Sequence, residues 1–163
     1  MSNAALRAEA QMEEHALELE RLAIAGFIET LGREQRALTA HDLDAVDALA
    51  PEKARQLDQL TKFSEQRGNR LRAAGCSPDA AGMRAWLDAH AGCPGVRSAW
   101  ERLAETAERA RDQNEVNGWV VALQMQRTQR QLAFLNRMAS NESTYCADGV
   151  ARSALRQRSL GEA

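Results

Sequence analysis

Apolar residues return every seven positions near the start of the chain, at Leu17, Ile24, Leu31 and Leu38. Phe27 and Ile28 reinforce this line, and no Pro interrupts the stretch from about Ala5 to Leu38. That period belongs to a long helix with one face laid against other helices. Thr39 to Asp44 is a polar break. Leu43, Val46 and Leu49 then predict a short helical piece ending near Pro51. Pro51 suits the first turn of a further helix, where its missing N–H removes no bond. Leu57, Leu60, Phe63 and Leu71 carry that helix to about Ala74.

The stretch GCSPDAAG is punctuation. Gly75 can end a helix, Ser77 can cap the next, and Pro78 fits a first helical position. A short helix with Met83, Trp86 and Leu87 follows and stops near Gly92, and Cys93 to Gly95 is a connector. The last long segment begins near Val96. Its predicted seam runs through Trp100, Leu103, Ala107, Ala110, Asn114, Asn117, Val121, Met125, Thr128, Leu132 and Leu135 in steps of three and four. If helical to Ala139 it spans on the order of 65 Å, too long for a compact globule to cover. The most economical partner is the first helix, packed antiparallel.

The predicted fold class is therefore all-α: an elongated antiparallel helical bundle or coiled coil of two long helices, shorter helices and a flexible C-terminal tail. The bundle takes residues 1–139. Residues 140–163 are polar, with Val150, Leu155 and Leu160 as weakly spaced apolar residues, and read as a mobile tail with latent helicity.

Composition narrows the partners. A net charge of −2 and a pI near 6.0, with Lys only at Lys53 and Lys62, give no electrostatic footprint for nucleic acid. No run reaches the roughly 18 apolar residues of a membrane span and no secretory signal is present, so membrane insertion is not expected and the expected compartment is the cytosol. Cys76, Cys93 and Cys146 are widely spaced, which argues against a disulfide framework or a zinc site. His15, His41 and His90 stand apart and read as surface residues. The neighbouring Glu13 and Glu14 read as solvated acids. No nucleophile motif or phosphate-binding loop occurs, so the chain is expected to be neither an enzyme nor a cofactor carrier.

Asn114, Asn117 and Gly118 interrupt the seam. Two asparagines at adjacent seam positions predict a polar layer, which would either pin the register of the long helices or meet a partner. Gly118, costly in a helix interior, predicts close backbone approach or a bend. Trp119 and Val120 lie off the seam and widen the apolar face there.

The stretch RDQNEVNGWVV (residues 111–121), followed by QMQRTQRQLAFL and the tail segment TYCADG, resembles the FlgN family of flagellar export chaperones. The motif residues are Asn114, Asn117, Gly118 and Trp119, with Tyr145, Asp148 and Gly149 in the tail; Cys146 stands where the family commonly has Gly. The resemblance implies a cytosolic protein that binds the terminal helices of hook–filament junction proteins. It further implies docking of the loaded complex on the cytosolic domain of the export gate through the Tyr145, Asp148 and Gly149 segment. On this reading Val121, Met125, Leu132 and Leu135 serve either the core seam or the client surface, and Val150, Leu155 and Leu160 are either client contacts or a solvated remnant. The alternative is a structural coiled coil in which the 96–139 helix pairs with a copy of itself.

Overall fold

The computed structural model describes residues 3–142, which form four helices: α1 (Asn3–Ala40), α2 (Leu43–Ala73), α3 (Ala80–Ala89) and α4 (Pro94–Glu142). The expected all-α bundle is present. The chain divides into two compact units, Met1–Val120 and Val121–Ala163.

In the first unit the predicted α1 seam is the core. Leu17 and Leu31 are completely buried, Ile24, Phe27 and Leu38 nearly so, and Ile28 packs beside them. The intervening seam positions carry Glu13, Glu20 and Glu34, which reach α2 as salt-bridge acceptors. Arg70 donates to Glu13 at 2.6 and 3.1 Å, Arg67 pairs with Glu20, and Lys53 Nζ donates to Glu34 at 2.9 and 3.0 Å. These pairs run from the start of α1 against the end of α2 and back, so the two helices are antiparallel. α2 buries only Gly68 and Leu71. Leu60 packs against the same core, the ion pairs fix the register, and losing one partner of such a shielded pair costs more than the pair contributes. Glu13 is therefore not the solvated acid expected of it: the facing Arg70 is far away in sequence.

Tight caps make the α1–α2 hairpin. His41 takes a left-handed conformation (φ 58°), Asp42 N–H donates to the Ala37 carbonyl at 3.0 Å, and His41 N–H to that of Leu38 at 3.2 Å. This paired pattern satisfies the last carbonyls of α1. Asp42 then caps α2 by accepting from Ala45 N–H at 3.0 Å. The polar break thus shrinks, and α2 runs unbroken through Pro51, where two helices were expected. Pro51 forfeits the hydrogen bond to residue 47, but Glu52 and Lys53 beside it bind Arg33 and Glu34 of α1. The tertiary pairs hold the helix through its weak point. Pro51→Ala should accordingly raise stability by about 1 to 2 kcal/mol in urea unfolding, because the lost bond is restored.

Gly75 (φ 76°) ends α2 as expected, with Cys76 N–H on the Leu71 carbonyl at 2.8 Å. The cap of α3, however, is Asp79 rather than Ser77. Asp79 accepts from Gly82 N–H at 2.8 Å and from the Ser77 hydroxyl at 2.7 Å, and these bonds hold its carboxyl below the usual carboxylate range. A Cβ on Gly82 would collide with the Ser77 carbonyl, so only glycine permits this fold-back. Met83, Trp86 and Leu87 enter the core as expected. His90 also departs from its reading as a surface residue. Its ring stacks on Trp86 at 3.8 Å, Nδ1 lies 2.8 Å from the Trp86 carbonyl, and its other edge faces Glu9 at 3.8 Å. Cys76 and Cys93 are free thiols packed against the core.

The partner of α4 differs in direction from the expectation. Gly95 abuts the Glu14 carboxylate, Arg102 lies 3.8 Å from Glu18, Gln113 borders Gly32, and Asn117 reaches Leu31 and Glu34. Both numbers in each pair rise together, so α4 runs parallel to α1 through the first unit. The connection dictates this: α2 returns the chain to the start of α1, and α3 is too short to carry it back. α4 also starts earlier than predicted, at Pro94.

Candidate functional site

The inward line of α4 within the first unit is Val96, Ala99, Leu103, Thr106, Ala110, Gln113 and Asn117. All are buried except Gln113, which is half-buried. The predicted seam shares only Leu103, Ala110 and Asn117 with it. Ala107 and Asn114 are exposed and Trp100 is half-buried, with Arg67 over its ring at 5.6 Å. Both lines satisfy steps of three and four, sharing every second position and differing by one residue at the others, and apolarity favours the one with the tryptophan. Contact with α1 selects the line of smaller residues instead, since Ala99 and Thr106 allow the helices to approach.

The two asparagines consequently part company. Asn117 is 2% exposed, and its Nδ2 donates to the Leu31 carbonyl at 2.9 Å and to Glu34 Oε2 at 2.7 Å. Glu34 in turn holds Lys53, so one polar layer ties α4, α1 and α2 at a single level. Asn117 Oδ1 is buried with no hydrogen-bond partner among the described residues, which makes the layer a specific but incompletely satisfied lock. Asn114 takes no part: the expected polar layer is formed by Asn117 with Glu34, not by two asparagines. Gly118 also departs from expectation, for a Cβ there would meet nothing within 4 Å. Trp119 beside it is 72% exposed, and Val116 is exposed as well.

In the second unit, α4 residues 121–138 present their apolar side chains outward. Val121, Met125, Leu132 and Leu135 are all exposed, and none belongs to the core cluster. Sequence reasoning missed a second set: Leu123, Phe134 and Met138 are equally bare. At about 100° per residue, Val121, Met125, Thr128, Leu132 and Leu135 form one line, while Leu123 and Phe134 lie on the opposite side. A helix with apolar lines on two opposite sides, neither of them part of the core cluster among the described residues, offers surfaces for a partner to cover. Leu123 and Phe134 lie off the predicted seam because steps of three and four from Val121 trace only one side of the helix.

These features lie in a stretch that a family model matches from residue 12 to residue 153, described as FlgN protein. The chain belongs to the FlgN family. This family comprises flagellar export chaperones, and the motif that carried the resemblance falls at Asn117 and the exposed Trp119. No curated protein and no solved structure gives a significant match. Among the described residues no group of His, Cys, Asp and Glu could hold a metal ion, and no helix is long and apolar enough to cross a membrane. The other FlgN-like motif residues, Tyr145, Asp148 and Gly149, and the apolar Val150, Leu155 and Leu160 lie outside the described residues.

Proposed function

We propose that this FlgN-family chain binds the terminal helices of hook–filament junction proteins in the cytosol, keeps them from assembling early and delivers them to the export gate. The observation that supports it is the bare apolar surface of residues 121–138, within the family match and outside the core. Amphipathic helices of a client would lie along the Val121–Leu135 line and along Leu123 and Phe134, in the helix-in-groove manner. Val150, Leu155 and Leu160 would extend the contact. Tyr145, Asp148 and Gly149 would then meet the cytosolic domain of the gate.

Copurification with junction-protein terminal helices tests the first half. Wild type should retain them, and replacing Met125 and Leu132 by Asp should weaken retention by about tenfold or more, since anchor residues dominate such interfaces. Retention unaffected by those changes would place the client elsewhere. A chain that binds no junction helix but self-associates through residues 121–138 would instead be a structural coiled coil. Tyr145→Ala should leave client retention intact while lowering secretion of the client into the medium. Secretion at the wild-type rate would remove Tyr145 from gate docking.

A further inference from the structure

Charge is unevenly placed along α4. From Val121 to Met138 the only ionised side chains are Arg127, Arg130 and Arg137, with no Asp or Glu among them. Leu123, Arg127, Arg130, Phe134 and Arg137 follow one another in steps of four, three, four and three. At about 100° per residue they share one side of the helix, with the arginines interleaved between the apolar residues. Arg127, Arg130, Gln131, Phe134 and Leu135 together line a shallow depression that runs from this side toward the end of the Val121–Leu135 line. The opposite line, from Val121 to Leu135, contains no charge at all.

From this placement we infer that the Leu123–Arg137 side accepts an amphipathic helix whose apolar stripe is bordered by carboxylates. The inference rests on the client-binding proposal and specifies which kind of helix occupies which side. A guanidinium next to an apolar pocket offers a planar fork that a carboxylate meets with two parallel hydrogen bonds, while the neighbouring Leu and Phe exclude water and strengthen the pair. A neutral stripe would leave these arginines without compensation, and a basic one would repel them. An anionic lipid surface is the rival occupant of a basic amphipathic helix, but lipid-binding segments concentrate roughly four to eight cations on the polar face. Here three cations stand among the apolar residues instead. The uncharged Val121–Leu135 side makes no such choice and accepts an apolar stripe whatever borders it.

Two synthetic amphipathic helices with the same Leu stripe, one bordered by Glu and one by Lys, provide the test when labelled and titrated with the full-length protein by fluorescence anisotropy. The Glu peptide should bind at least about tenfold more tightly at low salt, and the gap should narrow as salt screens the pairs. In Arg127→Gln/Arg130→Gln/Arg137→Gln the preference should vanish, and in the corresponding triple Glu variant it should reverse. These side chains are exposed, so both variants should keep the wild-type circular dichroism. Equal binding of the two peptides, or a preference that survives the triple Gln variant, would overturn the inference. Phosphatidylglycerol-containing vesicles binding as tightly as the Glu peptide would overturn it in favour of a lipid surface. Junction-protein helices that bind the triple Glu variant as well as wild type would overturn it while leaving the chaperone proposal standing. Wild type that prefers the Glu peptide but binds no junction helix would overturn only that proposal.

Discussion

Asn117→Asp should destabilise the protein by about 3 kcal/mol at pH 7, because it sets a second carboxylate against Glu34 Oε2 in a shielded layer. The cation that Glu34 does hold there, Lys53 Nζ, is already shared between both Glu34 oxygens. The sign with pH follows from the burial. Beside Glu34 the new carboxyl would have a folded-state pKa raised above its unfolded value, so the penalty is full at neutral pH. It shrinks as pH falls toward the ordinary carboxylate range, where the folded state accepts the proton. Asn114→Asp, three residues away on an exposed surface, should change stability by less than about 0.5 kcal/mol at either pH. Urea unfolding at pH 7 and pH 5 measures both. Equal effects of the two substitutions would contradict the separation of the asparagines into a lock and a surface residue.

Leu31→Ala should cost about 3 to 5 kcal/mol, since Leu31 is completely buried and packed on all sides. Its carbonyl also accepts from Asn117, so any collapse of the backbone around the cavity would disturb the polar layer as well. Leu132→Ala and Phe134→Ala remove comparable or larger side chains from α4, yet each should shift the unfolding midpoint by an amount equivalent to less than about 0.5 kcal/mol. They should weaken client binding instead. Chemical unfolding of the free protein together with titration of a junction-protein helix separates the two classes. A large loss of stability from Leu132→Ala would mean that this leucine belongs to the fold rather than to a client surface.

The family motif acquires a physical division of labour from these distances. Asn117 is spent on holding α4 to α1 and α2, whereas Asn114, Gly118 and Trp119 face outward at the same level of the helix. The same short stretch thus locks the bundle inside and displays a tryptophan outside. A bare Trp next to an unencumbered Gly gives a partner a flat apolar surface that its backbone can approach closely.

Much of this was legible in the chain itself. The seven-residue return of Leu17, Ile24, Leu31 and Leu38 determined which side of α1 is buried, because those side chains are large, apolar and evenly spaced. The burial of Met83, Trp86 and Leu87 and the glycine stop at Gly75 were equally local. The apolar residues of 121–138 were visible there too, but that they face outward rather than into the core was settled by the structure. What only the tertiary structure decided depends on residues distant in sequence. α2 passes through Pro51 because α1 supplies ion-pair partners, and Glu13 is shielded because Arg70 faces it. α4 runs parallel to α1 because α3 is too short to reverse it. The choice between Asn114 and Asn117 has the same origin: helical spacing permits two adjacent seams, and only the position of α1 determines which asparagine meets Leu31 and Glu34.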